Sequence, residues 1–317
     1  MKAWQFTDTH QPLVLNEVPE PKAAPGEVVL EVRAAGLCHS DVGLLEDEGW
    51  LDMLAKRPIT PGHEVAGVIT EVGEGVEGWK AGDRVGVCPT VEGHGAVGYA
   101  FDGGYAPRCA VPAATLVALP DSVSFAQGAA GTDSGMTAYH AVVAKGGIKK
   151  GDRVGVIGLG GLGQIGARVA VLTGCEVYAA EPNEKVWELG REIGVKEIVK
   201  DVTELADKQL DVIVDYAGFG TTTAGAVEAI RPGGTVVQVG MGRLESTIST
   251  KSLILKSVIL RGSCGGDIDA VKGVYALMAA GELSPQLTPI TFEEISDGLR
   301  RLAEGGVVGR LVAVAGE

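Results

Sequence analysis

Residues 153–173 read RVGVIGLGGLGQIGARVAVLT, and the fold follows from their order of residue types. A short β-branched run, 153–157, leads into the glycine-rich loop 158–163 (GLGGLG). A stretch with small residues on one face, 164–173, reads as a helix. Glycines at Gly158, Gly160 and Gly163 allow a tight turn, close approach of a pyrophosphate and close packing of helix on strand. Backbone N–H groups at the helix start favour phosphate, and Gly161 and Leu162 lie in the same loop. A second strand, 176–180, ends at Glu181. There a carboxylate meets the hydroxyls of an adenosine ribose and repels a 2′-phosphate, so NAD(H) is expected over NADP(H). A bare glycine-rich turn without ligand is the bland alternative, which the full strand–loop–helix–strand–acid context outweighs.

Downstream, the pattern repeats: a helix at 184–193, strands at 197–199, 211–215 (DVIVD), 235–239 (TVVQV) and 258–261 (VILR). Alternating strands and helices predict a doubly wound parallel sheet. Upstream the texture differs. Valine-rich strands at 27–34 (EVVLEVRA) and 64–72 (EVAGVITEV), and a turn entering a strand at 81–87, are punctuated by Pro, Gly and Asp, as in a compact β domain. Residues 126–144 have helical spacing, weakened by Gly131 and Gly135. The tail reads as helices at 269–280 and 292–303 and a last strand at 310–314, returning to the first domain.

Three upstream segments carry metal-ligand chemistry: Cys38-His39-Ser40-Asp41, Pro61-Gly62-His63-Glu64 and Gly131-Thr132-Asp133-Ser134-Gly135. They offer a thiolate, an imidazole and carboxylates, the ligand types of Zn²⁺. Taken singly, Cys38 is an ordinary buried cysteine and His63 a hydrogen-bonded core histidine. Together with Glu64 and Asp133 they form a set in which three ligands leave one tetrahedral position open. A Lewis acid beside a hydride carrier points to oxidation of an alcohol or reduction of a carbonyl.

The chain has 317 residues, 48 glycines and a net charge of -14, enough for two domains. The acidity argues against nucleic acid or anionic lipid as a partner. Residues 1–6 lack the apolar stretch of a secretory signal, and no run reaches membrane-spanning length. The five cysteines are odd in number and contain no Cys-x-x-Cys pair, so a reducing cytoplasm is the expected compartment.

The motifs CHSD, PGHEVAGVITEVGEGV, AGDRV, GTDSGMTAYHA and VIGLGGLG together resemble the zinc-dependent alcohol dehydrogenases of the medium-chain dehydrogenase/reductase family, over nearly the whole chain. The resemblance implies a GroES-like catalytic domain at 1–130, a Rossmann domain at 131–264 and a C-terminal return at 265–317. It implies Cys38, His63 and Asp133 as ligands of one catalytic zinc, with aspartate where cysteine is common. Glu64 becomes a carboxylate that can approach the metal, and Ser40 the hydroxyl that takes the substrate proton. His39 lies near the pyrophosphate as an outward proton carrier, and Asp41 orients the ligand network. Thr137 packs on the nicotinamide, and Arg310 reaches the cofactor phosphates. The implied partners are NAD(H), a small alcohol or carbonyl substrate and a second copy of the chain, as a homodimer or homotetramer. The rival readings are an enone reductase of the same fold and a non-enzymatic NAD(H)-binding protein.

Two departures stand out. The stretch 85–104 holds only Cys88, so the four-cysteine structural-zinc lobe of many relatives is missing; His94 there is read as a solvated loop histidine. At Gly43, where several relatives have the histidine that ends a proton relay, no side chain can carry a proton. Trp50, Leu51 and Met53 are read equally as pocket lining or as core.

Overall fold

The structure is a computed structural model that describes residues 1–305 and 307–315. It divides into two compact units, Met1–Asp133 with Asp267–Glu317, and Ser134–Gly266. The strands in chain order are β1 (Lys2–Gln5), β2 (Val14–Glu17), β3 (Glu27–Gly36), β4 (Glu64–Val72), β5 (Arg84–Val87), β6 (Arg108–Pro112), β7 (Leu116–Ala118), β8 (Arg153–Ile157), β9 (Glu176–Ala180), β10 (Glu197–Val199), β11 (Val212–Asp215), β12 (Thr235–Gln238), β13 (Ile259–Gly262), β14 (Leu287–Ile290) and β15 (Arg310–Val314).

In the second unit six strands run in the order β10-β9-β8-β11-β12-β13, every pairing parallel. This is the doubly wound arrangement expected from 153–261, with its switch point at β8 and β11. β8 is buried at four of its five positions, as a central parallel strand covered on both faces must be. Ile157, Tyr178, Ile213 and Val236 pack in one apolar core.

In the first unit the sheet runs β14-β15-β3-β4-β5-β7, with β6 also on β3. β3 is the hub. Its last residues pair with the start of β4, Gly36 opposite Glu64, and on the other edge with the end of the chain, Val312 opposite Gly36. The end of β3, the start of β4 and the start of β15 therefore lie side by side, and the chemistry collects there. Leu30, Val65, Val85, Leu299 and Leu311 fill the core behind it.

The helix expected over 126–144 is present but not regular. Phe125–Ala130 is α-helical, Gly131–Gly135 widens into a π-turn, Met136–His140 is α-helical again, and Ala141–Lys145 is a second π segment. Thr132 contributes to the widening by donating its Oγ1 hydroxyl to the Ala129 carbonyl (2.8 Å), a bond that competes with the helical ladder. Such single widened turns sit often at functional sites. Here the turn carries Asp133.

Candidate active site

Cys38 ends the two-residue link from β3 and stands at the N-cap of the helix His39–Glu46. His63 immediately precedes β4. Because β3 and β4 are antiparallel neighbours, these side chains leave adjacent strand ends. Asp133 arrives from a different direction, on the helix beginning at Phe125. That helix is capped by Ser124 and Gln127 and fastened by the Tyr275 hydroxyl, which donates to the Gly128 carbonyl (2.9 Å).

The three side chains converge. His63 Nε2 lies 3.4 Å from Asp133 Oδ2, and Cys38 Sγ lies 3.8 Å from the same oxygen. Metal bonds of about 2.3 Å to sulfur and about 2.0–2.1 Å to nitrogen and oxygen, arranged tetrahedrally, place ligand atoms roughly 3.4–3.6 Å apart. Glu64 adds a fourth candidate, and ligand atoms of all four residues lie within 4.8 Å of one another. Among the described residues this is the one cluster of three or more Cys, His, Asp or Glu whose ligand atoms converge. The donor set therefore fits a zinc ion.

The charges fit as well. Asp41, Glu64 and Asp133 are gathered around a buried thiol, with one guanidinium, Arg310, among them. Several closely spaced anions facing one buried cation favour an added dication. Burial pushes the Cys38 thiol up, but the Arg310 charge and the hydrogen bond with His63 outweigh it and hold the thiol below its ordinary value. For His63, burial acts downward, and Asp41 with its neighbours more than offsets it, holding the imidazole well above its usual range.

Asp41 is the hub behind the ligands. Its Oδ2 accepts from the Cys38 backbone N–H (3.0 Å) and from the Tyr105 hydroxyl (2.7 Å). Its Oδ1 lies 3.3 Å from His63 Nδ1. The helix-capping and metal-supporting readings of Asp41 are thus the same geometry. A carboxylate on Nδ1 aims Nε2 at the metal position and fixes its tautomer. Ser40 Oγ stands 3.4 Å from that Nε2. His39 is exposed at the helix start; partial burial and the Arg310 charge hold its pKa below its ordinary value.

Arg310 is 3% exposed. Its Nε donates to Glu64 Oε2 (3.1 Å), its Nη2 pairs with Glu64 Oε1, and the same Nη2 lies 3.6 Å from Asp133 Oδ2. The guanidinium expected at cofactor phosphates is here engaged by the carboxylates of the metal cluster. Thr137 is a buried residue of the helix Met136–His140.

Gly43 has a steric cause. A Cβ there would come within 2.6 Å of the Trp50 ring. Trp50 is core, with Leu51 packed against the same cluster, while Met53 is half exposed. Indole thus fills the space a relay side chain would need.

In the second unit, Gly158 has φ +84° and its N–H donates to the Ala180 carbonyl (2.9 Å). Glu181 accepts from Leu159 N–H and Asn183 N–H, each at 2.8 Å, so it braces the loop. The helix Gly163–Leu172 opens with no side-chain cap; its first turn is tightened by the Gln164 N–H donating to the Gly160 carbonyl (3.2 Å) and the Ile165 N–H to the Leu162 carbonyl (3.0 Å), and the positive end of its dipole favours an anion. A Cβ built at Gly163 would overlap the Gly158 carbonyl oxygen. Gly163→Ala should therefore raise the NADH dissociation constant at least about tenfold, roughly the loss of one phosphate hydrogen bond, with zinc content unchanged. A fluorescence titration with NADH checks this.

Sequence reading missed Tyr99 and Tyr105, which reach the ligand cluster from the cysteine-poor stretch and just beyond it. It also missed Asp215, buried at the end of β11. Asp215 accepts from the Ala217 and Gly218 N–H groups and the Thr222 and Thr223 hydroxyls. It sets the loop carrying exposed Phe219 at the carboxyl edge of the sheet. An acid closing a buried apolar strand was the available signal.

Residues 24–121 match the alcohol dehydrogenase GroES-like domain, and residues 161–280 match the zinc-binding dehydrogenase domain. An alcohol dehydrogenase of Geobacillus stearothermophilus is 31% identical, over 98% of this chain and 99% of its own length. The structure of acetophenone reductase from Geotrichum candidum in complex with NAD superimposes with a TM-score of 0.91 at 27% identity, covering 99% of this chain and 96% of that one. A cobalt- and zinc-bound alcohol dehydrogenase from Pyrobaculum aerophilum gives 0.88 at 26% identity, covering 99% of each chain.

Proposed function

The chain belongs to the zinc-binding alcohol dehydrogenases of the medium-chain dehydrogenase/reductase family, its reaction is the NAD(H)-linked interconversion of an alcohol with an aldehyde or ketone, and we propose that the residues assembled above carry that reaction. Cys38, His63 and Asp133 hold one zinc per chain, and Glu64 stands within reach of it. The loop Gly158, Gly160, Gly161, Leu162 and Gly163 receives the pyrophosphate, and Glu181 the adenosine ribose. Thr137 packs on the nicotinamide. When bound, zinc supplies a Lewis acid that lowers the pKa of the alcohol, and NAD⁺ supplies the hydride acceptor.

The protein's own part is orientation and proton movement. Asp41, held by Tyr105, fixes the face that His63 presents. Ser40, as donor and acceptor, takes the substrate proton while releasing its own. With Gly43 sealed by Trp50, His39 at the exposed helix start carries the proton to water. Arg310 holds Glu64 in place and tempers the negative charge of the cluster.

The observation that carries this reading is the convergence of Cys38, His63 and Asp133 at tetrahedral ligand separations. A panel of ethanol, 2-propanol, cyclohexanol and benzyl alcohol with NAD⁺, and acetone, acetophenone and cyclohexenone with NADH, tests it, with zinc measured on the same sample. Turnover of an alcohol and its carbonyl partner, scaling with zinc content, is expected. Reduction of only the C=C bond of cyclohexenone, or no turnover at all with zinc in place, would replace it with the enone-reductase or the non-enzymatic reading.

We place the active form in the cytoplasm as a homo-oligomer. All five cysteines are free, and among the described residues no helix is long and apolar enough to cross a membrane. β13 is the outer strand of its sheet and exposed at all four positions, including Ile259 and Leu260. Ile254 and Leu255, in the helix just before it, are 70% and 73% exposed. An open apolar strand edge of this kind invites pairing with another copy. Leu260→Lys should shift the chain to monomer, which light scattering on a sizing column reads directly.

A further inference from the structure

The turn that carries Asp133 is shaped by side chains as well as by its own backbone. Phe125–Ala130 is α-helical, and the next segment, Gly131–Gly135, is π-helical. At the junction the Gly131 N–H faces three carbonyls, those of Gln127, Gly128 and Ala129. Two of the three also take a hydroxyl. Tyr275 Oη donates to the Gly128 carbonyl (2.9 Å), and Thr132 Oγ1 donates to the Ala129 carbonyl (2.8 Å). In an α-helix those two carbonyls serve the N–H groups of residues 132 and 133. A hydroxyl on each weakens that ladder and favours the wider register, in which a carbonyl meets the N–H five residues on.

Tyr275 comes from far along the chain, on the helix Ile268–Ala279, and is 2% exposed. Two glycines make room for it. A Cβ at Gly131 would come within 2.7 Å of ring Cε1. A Cβ at Gly86, in β5, would overlap the hydroxyl oxygen and come within 2.7 Å of the Thr132 methyl. Thr132 is itself fully buried, so both hydroxyls are held in packed surroundings. The register they favour matters at the next residue. Asp133 Oδ2 lies 3.4 Å from His63 Nε2 and 3.8 Å from Cys38 Sγ. An α-helix advances about 100° per residue, so a turn closed one residue sooner would swing the carboxylate away from both.

We infer that Tyr275 and Thr132 are positioning residues for the metal site: their hydroxyls hold the turn at its wide register, from which the Asp133 carboxylate meets Cys38 and His63. The inference rests on the role of Asp133 as a zinc ligand proposed above.

Zinc affinity, measured by competition with a chromophoric chelator, tests it, beside urea melts of the zinc-free and zinc-loaded protein. Tyr275→Phe and Thr132→Val each keep the shape of the side chain and remove one hydroxyl. Were the hydroxyls only fastening the fold, the zinc-free and zinc-loaded forms would lose stability alike and the affinity would stay. A turn that relaxes toward the α register leaves fewer molecules ready for zinc, and the apparent affinity falls by that fraction. Each variant should therefore raise the zinc Kd about 3- to 10-fold, the worth of one hydrogen bond, and its zinc-loaded form should lose more stability than its zinc-free form. In an Asp133→Ala background the same changes should move the zinc Kd less than about twofold, because the coupled partner is gone. A zinc Kd left unchanged by either folded variant, or raised equally with and without Asp133, would overturn the inference and leave the role of Asp133 standing. Should Tyr275→Phe fail to fold, Thr132→Val decides by the same outcomes. An Asp133→Ala protein that binds zinc as tightly as the unmodified one would overturn the role of Asp133 itself, and the inference with it.

Discussion

Cys38→Ala yields a folded protein that holds no zinc and turns over alcohols about a thousandfold more slowly or worse. The magnitude comes from the metal's part in the reaction: stabilising the developing negative charge on oxygen is worth several kcal/mol, and each 1.36 kcal/mol is a factor of ten in rate. The thiol is one of the three donors proposed to hold the metal, and together with Glu64 their ligand atoms lie within 4.8 Å of one another. Two donors hold zinc far less tightly, and the preset geometry for the third is lost. Folding should survive, because half of the capping box at this position is independent of the sulfur: Asp41 Oδ2 accepts from the backbone N–H of residue 38, a bond that alanine keeps. Metal analysis, steady-state rates and a thermal melt on one preparation separate these effects. A variant that keeps both its zinc and its rate would remove Cys38 from the site.

Arg310→Met should be the most destabilising substitution at the site that spares every proposed zinc ligand. Glu64 is fully buried and Arg310 nearly so. The guanidinium engages both carboxylate oxygens and approaches Asp133. Removing one member of a buried ion pair leaves an uncompensated charge and costs about 3–5 kcal/mol, whereas replacing both members with apolar groups is often near neutral. Two consequences follow for urea melts. Arg310→Met should lose about 3–5 kcal/mol in the zinc-free form, and Arg310→Met with Glu64→Leu should regain most of it. Zinc should also protect the single variant more than it protects the unmodified protein, since the dication then becomes the remaining positive charge beside Glu64. A loss below about 1 kcal/mol, or a double variant no better than the single one, would show that the pair is not held as charges.

Much of this site was legible before any coordinates. Residues 153–181 announce their architecture because each step is local: a β-branched run, a turn only glycine permits, small residues where helix meets strand, an acid at the next strand end. CHSD and PGHE stand out as the candidate metal site because cysteine and histidine beside glycine turns at strand ends have few other uses in combination. Gly131 and Gly135, which weakened the helical reading, turn out to flank the widened turn that carries Asp133.

What escaped the sequence depends on long-range packing. Arg310 lies 246 residues from Glu64 and meets it only because β3 pairs with β4 on one edge and β15 on the other. Nothing local in GRLV announces that carboxylate contact. Tyr99 is one aromatic among glycines and alanines; its ring comes to lie 5.4 Å from that of His63 because backbone bonds fold 99–105 onto 55–62. Gly43 reads as a missing relay residue, and only the Trp50 ring over it supplies the steric reason. β1 and β2 pair with each other in a two-stranded ribbon of four residues each, too short for a periodic pattern to emerge.

The most direct measurement is zinc K-edge X-ray absorption on the zinc-loaded protein, with metal stoichiometry on the same sample. One zinc per chain, with a single sulfur at about 2.3 Å and the remaining nitrogen and oxygen neighbours at about 2.0–2.1 Å, is the expected result. A first shell without sulfur, a shell of four sulfurs, or two zinc ions per chain would contradict a centre built from Cys38, His63 and Asp133.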